Sequence, residues 1–269
     1  MSTTRLTVTD IRAAKAAGRR IAAVTAYDYP SARLADAAGM DLILVGDSLG
    51  TAMQGHVNTL PVTMDQMVYH TAMVARAGTR ALVVGDMPFM SYQTGLEAAL
   101  ANAGRFLAEG GAAAVKLEGG HPAAVERIRA LVEAGIPVMG HVGLTPQSVH
   151  AMGGFRVQGK AEADAGRIVR EAQAVEAAGA FSLILEGVPE KLGKQVTEAV
   201  SIPTVGIGAG VHCDGQILVW HDLLGLTEGK VPRFVRSYAH LGRSIRRALK
   251  AYARDVAEGS FPGPDQTYH

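Results

Sequence analysis

DLILVGD (residues 41–47) and ALVVGD (81–86) are two short apolar runs that each stop at an aspartate. Neither alternates apolar with polar residues, so each reads as a strand buried on both faces, as in a parallel sheet covered by helices. Similar runs lie to either side: IAAVTAYD (21–28), AAVKLEGG (113–120), IPVMGHVG (136–143), FSLILEG (181–187), IPTVGIGAG (202–210) and, weakest, QILVWHD (216–222). Together they make eight candidate strands.

The segments between them carry apolar residues every three or four positions, such as Leu96, Leu100, Ala103, Phe106 and Leu107, or Val125, Ile128, Leu131 and Val132, and so read as helices. The tails AAGMD (37–41), EGGAA (109–113), EAGIP (133–137) and EAAGA (176–180) place Gly where a helix needs a left-handed cap before the next strand. Evenly alternating strand and helix without a long interruption favours a closed barrel over an open doubly wound sheet. The expected fold is α/β, a single (β/α)8 TIM barrel over residues 1–269, with a short N-terminal helix (10–17) and a long C-terminal helix. Phe234, Tyr238, Leu241, Ile245, Leu249 and Tyr252 mark that last helix, whose apolar face packs on the barrel or on another subunit. The Gly- and Pro-rich tail from residue 259 does not continue it.

With 48% hydrophobic and 19% charged residues the chain has ample material for a core. A balance of 26 basic against 25 acidic residues gives no broad attraction for nucleic acid or an anionic membrane, so small molecules are the expected partners. No apolar run approaches the roughly 20 residues that span a bilayer, and residues 1–20 lack the apolar centre of a secretory leader. A single cysteine, Cys213, excludes an intramolecular disulfide and a multi-cysteine metal site, which suits the cytoplasm.

In such barrels catalytic groups sit at the C-terminal ends of the strands. Those ends hold Asp28, Asp47 with Ser48, Asp86, Lys116 with Glu118, His141 and Glu186. Asp47, Asp86 and Glu118 close three consecutive strands, so the barrel brings them together, and a hard divalent cation such as magnesium is their natural partner. Lys116 and Glu118, two apart, share one face of a strand, where Lys116 either neutralises a substrate carboxylate or pairs with Glu118. Glu186 ends an apolar strand and reads either as a base facing the metal or as a carboxylate held by backbone donors in its turn. His141 reads as a donor to a substrate carbonyl or as a loop orienter. Tyr27, Ser31 and Ser48 are further hydrogen-bonding candidates, and the GIGAG loop (206–210) is a weak phosphate-cradle signal.

The segments at 25–50, 55–70, 83–92, 115–120, 140–149, 183–189 and 206–226 closely resemble the ketopantoate hydroxymethyltransferase family. The resemblance covers nearly the whole chain. It implies transfer of a hydroxymethyl group from 5,10-methylenetetrahydrofolate to 3-methyl-2-oxobutanoate, through a magnesium-stabilised enolate, on the pantothenate and coenzyme A route. Carried over by motif, Asp47 and Asp86 bind magnesium and so meet the substrate, Glu118 binds the metal directly or through water, Ser48 and Lys116 bind the oxo acid, and Glu186 accepts the proton. It also implies a homo-oligomer, often a decamer. The chain departs from many relatives at Gly187, where they carry Cys. The related phosphoenolpyruvate mutase and isocitrate lyase group typically carries a catalytic cysteine in a KKCGH-like loop, which this chain lacks.

Overall fold

The computed structural model describes residues 4–229 and 231–268. Residues 1–3 of the N-terminal stretch and His269 of the tail, both part of the sequence expectations, lie outside the described residues. The chain divides into two compact units, one ending at Val219 and one beginning at Trp220, where sequence alone suggests a single domain.

The first unit is a closed parallel barrel in strand order β1 to β8, with β8 pairing back onto β1. The strands are β1 (Ile21–Thr25), β2 (Leu42–Val45), β3 (Leu82–Asp86), β4 (Ala114–Lys116), β5 (Val138–Gly143), β6 (Ser182–Glu186), β7 (Thr204–Ile207) and β8 (Gly215–Leu218). Helix α1 (Val8–Ala16) precedes them. Between strands run α2 (Tyr29–Ala37), α3 (Leu49–Ala52), α4 (Met64–Ala75), α5 (Leu96–Ala108), α6 (Pro122–Glu133), α7 (Glu162–Ala177) and α8 (Glu190–Ala199). The expected helix caps are present: Gly39, Gly111, Gly135 and Gly179 all have φ between 70° and 99°, a region closed to most side chains.

The strand period places one row of each strand inside the barrel. Leu42, Leu44, Leu82, Val84, Ala114, Met139, Ile184, Val205 and Ile217 belong to one buried apolar cluster. Ile11 and Ala14 of α1 join that cluster, so the N-terminal helix stoppers the end of the barrel away from the strand C-termini. The Lys15 ammonium locks it there by donating to the carbonyls of Thr197, Val200 and Ile202, and pairs with Asp214 at 3.2 Å. Ile11→Ala is therefore expected to lower stability by about 2–4 kcal/mol. A urea midpoint shift worth less than about 0.5 kcal/mol would show that α1 is not part of the core.

The second unit contains α9 (Trp220–Leu223) and α10 (Leu241–Ala257). The terminal helix begins later than its apolar spacing suggests, leaving Phe234 and Tyr238 outside it. The Tyr238 and Leu241 amides donate to the carbonyls of Leu223 and Leu224 instead of continuing a helical ladder. Leu241, Ile245, Leu249, Tyr252 and Val256 of α10 are all exposed. Among the described residues no helix is long and apolar enough to cross a membrane.

Candidate active site

The inward rows change character along their length. In β3 the row runs Leu82, Val84, Asp86; in β4 and just beyond it runs Ala114, Lys116, Glu118; in β5 it runs Met139, His141; in β6 it runs Ile184, Glu186. Each begins in the apolar cluster and ends in an ionisable group at the C-terminal mouth. Asp47, Asp86, Lys116, Glu118 and His141 are all at least 95% buried. These five, with Ser48 and Glu186, line one cavity of about 100 Å3. The structure thus brings together seven of the eight strand-end candidates, all but Asp28.

The remaining strand-end candidate, Asp28, and the hydrogen-bonding candidate Ser31 belong elsewhere. Asp28 is the N-cap of α2, accepting from the Ser31 amide at 2.8 Å, and Ser31 completes the capping box. Their local hydrogen bonds explain them without a ligand. Tyr27 does reach the mouth, where its hydroxyl lies 2.9 Å from Ser48 Oγ. The GIGAG loop packs instead of cradling: a Cβ on Gly193 would lie 2.1 Å from the Ala209 carbonyl oxygen, and one on Gly210 would lie 2.5 Å from Glu190 Cγ. Gly187 has φ 59°, a conformation natural to glycine.

Lys116 chooses Asp86 over Glu118. Its Nζ donates to Asp86 Oδ1 and Oδ2 at 2.8 and 2.9 Å, while Glu118 Oε1 is 3.7 Å away. The register of β3 and β4 sets this, because Asp86 and Lys116 are direct partners across the ladder. Asp86 Oδ2 also accepts from the Asp47 amide at 3.2 Å. His141 stands between two carboxylates, Nδ1 at 3.3 Å from Glu118 Oε1 and Nε2 at 3.4 Å from Glu186 Oε2. Neither contact is aligned as a good hydrogen bond, so the link is chiefly charge pairing.

Burial, first of all, pushes the Asp47 carboxyl up, and repulsion from Asp86 adds to it, to about 8. Asp86 is also raised, again first by burial, with the Lys116 ammonium pulling the other way. Burial opposes the charge on Lys116, yet Asp86, Glu118 and Asp47 outweigh it and raise the ammonium above its usual range. Burial likewise opposes ionisation of Glu118, but His141 and Lys116 beside it hold it below the ordinary value. For His141, burial and Lys116 favour the neutral ring; the flanking Glu118 and Glu186 prevail and raise it to about 9. Its position between Glu118 and Glu186 thus favours the protonated imidazole.

Four carboxyl groups, Asp47, Asp86, Glu118 and Glu186, thus share the cavity with Lys116 and His141, and burial disfavours the charged forms of Asp47 and Asp86. An excess of buried negative charge is costly unless a cation balances it. Magnesium takes one or two protein carboxylates and completes its octahedron with water and substrate oxygens. Asp47 and Asp86 fit that donor set. Glu118 is turned toward His141 and the Gln147 amide, which donates to Glu118 Oε2 at 3.0 Å. Among the described residues no group of three or more His, Cys, Asp or Glu side chains is arranged to hold a metal.

Gln147 and Tyr92 are the site residues that sequence reasoning missed. The Gln147 side chain donates to Asp47 Oδ2 and to the Met87 carbonyl, each at 2.9 Å, and accepts from the Tyr92 hydroxyl at 2.7 Å. The same Tyr92 oxygen accepts from the Glu118 amide at 3.2 Å. Neither residue ends a strand, and neither is charged at neutral pH, so a search for ionisable strand ends passes over both. The signal available is their position in two loops that follow β3 and β5. Gln147→Leu strands a buried carboxylate and a buried phenol, and is expected to cost about 1–3 kcal/mol. Unchanged thermal stability of that variant would mean that the network is not needed to hold the loops.

The barrel and the ionisable groups gathered at its C-terminal mouth define the class, a (β/α)8-barrel enzyme. The family model of ketopantoate hydroxymethyltransferase matches residues 5–264. The 3-methyl-2-oxobutanoate hydroxymethyltransferase of Syntrophotalea carbinolica is 56% identical over 264 residues, covering 98% of each chain. That of Moorella thermoacetica is 54% identical, again over 98% of each. The chain belongs to the ketopantoate hydroxymethyltransferase family. Among solved structures, a 2,3-dimethylmalate lyase of the PEP mutase/isocitrate lyase superfamily superposes with a TM-score of 0.62 at 20% identity, covering 97% of this chain and 93% of its own. A phosphonopyruvate hydrolase does so with a TM-score of 0.62 at 17% identity and the same coverage. At that identity the likeness concerns the barrel alone.

Proposed function

We propose that this protein transfers a hydroxymethyl group from 5,10-methylenetetrahydrofolate to 3-methyl-2-oxobutanoate, giving 2-dehydropantoate and tetrahydrofolate, in pantothenate and coenzyme A biosynthesis in the cytoplasm. The observation that carries this reading is the placement of Glu186, the most open of the mouth carboxylates at 17% side-chain exposure, across the cavity from the buried Asp47, Asp86 and Lys116 cluster.

Glu186 takes the proton from C3 of the oxo acid, and the electron pair moves onto the carbonyl oxygen to form an enolate. C3 then attacks the methylene carbon as one of its two bonds to folate nitrogen breaks, water displaces the second nitrogen and supplies the hydroxyl oxygen, and the two freed nitrogens take up the proton from C3 and one from water. His141 lies between Glu118 and Glu186, its Nε2 3.4 Å from Glu186 Oε2, and so places a basic ring beside the base. Lys116 and Ser48 bind the substrate carboxylate and carbonyl side, with Tyr27 fixing the Ser48 hydroxyl. Asp47 and Asp86 would hold magnesium, with Glu118 reaching it directly or through water. The chemistry such an ion supplies when bound is polarisation of the ketone.

The test is proton NMR of 3-methyl-2-oxobutanoate with the protein in deuterated water, with and without magnesium and without folate. Magnesium-dependent loss of the C3 proton signal is expected. Absence of exchange both with the metal and after adding tetrahydrofolate would overturn the reading.

The exposed apolar residues of α10 support a homo-oligomer, the decamer that the family resemblance implies, with this face in a subunit contact. Mass photometry reading only monomers at micromolar concentration would overturn that part.

A further inference from the structure

The two carboxylates read as magnesium holders are oriented by different means. Asp86 accepts from the Lys116 ammonium on both oxygens and from the Asp47 amide. Asp47 stands just past the end of β2 and is buried. Among the described residues its carboxylate accepts a single hydrogen bond, from the Gln147 side chain to Oδ2 at 2.9 Å, and Oδ1 accepts none. Gln147 alone therefore sets the direction of that carboxylate.

Gln147 is itself held on every side. It sits in a single 3-10 turn, Pro146–Ser148, and is 5% exposed. Its side-chain nitrogen donates to Asp47 Oδ2 and to the Met87 carbonyl, and its side-chain oxygen accepts from the Tyr92 hydroxyl at 2.7 Å and from the Gln93 side-chain amide at 3.2 Å. Both donors and both acceptor sites of the carboxamide are thus used. Turning it to release Asp47 would break all of these bonds in a desolvated place. The Gln147 backbone amide meanwhile donates to Glu118 Oε2 at 3.0 Å. One residue of the loop after β5 therefore anchors carboxylates carried by the segments after β2 and β4.

We propose that Gln147 is a positioning residue for the metal: it holds Asp47 by Oδ2 and so keeps Oδ1 free for a divalent cation shared with Asp86. The proposal rests on the reading of Asp47 and Asp86 as the metal-holding pair. A carboxylate whose rotamer is set in advance loses less freedom when it captures an ion, whereas an Asp47 released from Gln147 has to be ordered by the ion itself. Hydrogen-bonding partners that orient a metal-binding group in this way are worth about 10- to 100-fold in metal affinity.

Mn2+ shares the oxygen preference of magnesium, and electron paramagnetic resonance reads its free ion directly. Titrated into the metal-free protein, Mn2+ should bind Gln147→Met about tenfold or more weakly than the unaltered chain. Methionine keeps the length of the side chain and loses both donors. Tyr92→Phe removes a hydroxyl from the same network but leaves the donation to Asp47, so its Mn2+ affinity should stay within about threefold. Both variants strip partners from buried polar groups and should lose stability to a similar degree. The difference in metal affinity is what isolates the positioning role. Raising magnesium should also recover the C3 exchange rate lost by Gln147→Met, because the defect lies in capture of the ion. Unchanged Mn2+ affinity in Gln147→Met would overturn the proposal. So would an equal weakening in Tyr92→Phe, which would make the network a brace for the loops and nothing more. Gln147→Asn draws the carboxamide back by one methylene and reads the same way should the methionine variant not fold. An unaltered protein that binds no Mn2+ would overturn the metal reading of Asp47 and Asp86, and the positioning role with it.

Discussion

Glu186→Gln is expected to lower C3 proton exchange and overall turnover by about 100- to 10,000-fold, the usual contribution of a positioned general base. The amide keeps the shape of the carboxylate but has no basic oxygen. Binding of 3-methyl-2-oxobutanoate, measured by calorimetry with magnesium, should change little, because Lys116 and Ser48, the groups proposed to bind its carboxylate side, stand elsewhere on the cavity wall. A split of this kind, with kcat lost and KM kept, distinguishes removal of a base from disturbance of the site. A near-normal exchange rate in the variant would remove Glu186 from the role of base. His141 would also lose one of its two flanking charges, so its imidazole should titrate at lower pH in the variant, a shift that NMR of the ring protons reads directly.

Asp86→Ala is expected to act twice. It removes a carboxylate proposed to hold magnesium, so metal-dependent exchange should fall to background. It also takes from Lys116 the partner at 2.8 and 2.9 Å, leaving a buried ammonium with Glu118 at 3.7 Å. Breaking a buried pair on one side costs about 3–5 kcal/mol, because the remaining charge stays desolvated. Adding Lys116→Met should restore most of that stability without restoring activity. The double-mutant cycle, read by urea unfolding, isolates the pair. Additive losses from the two single changes would show that the ion pair is not energetically coupled. Magnesium dependence unchanged in Asp86→Ala would take Asp86 away from the metal.

Much of this architecture is legible along the chain because barrel strands are local objects. A run such as ALVVGD states its burial through composition and its end through Asp86, and the strand period then predicts that Leu82, Val84 and Asp86 share a face. The helix caps are equally local, since Gly135 or Gly179 must take a positive φ whatever surrounds it. Asp28 shows the limit of the same logic. It too ends a strand run, but three residues on stands Ser31, and the capping box satisfies both locally. The apolar spacing of the last helix likewise runs past its real start, because the backbone of Tyr238 bonds to Leu223, a contact the spacing does not encode.

The sequence by itself determined the barrel, its strands, and the residues that crowd its mouth, because hydrophobic periodicity and strand-end chemistry depend on near neighbours. Only the tertiary structure decided how those residues divide their charges. Lys116 pairs with Asp86 because β3 and β4 meet in one register, and His141 links Glu118 to Glu186 because three strand ends converge on it. Gln147 is separated from Asp47 by 100 positions in the chain, yet its amide lies 2.9 Å from the carboxylate. Contacts of that kind arise from closure of the barrel, and a desolvated mouth makes each of them strong enough to set which groups carry charge.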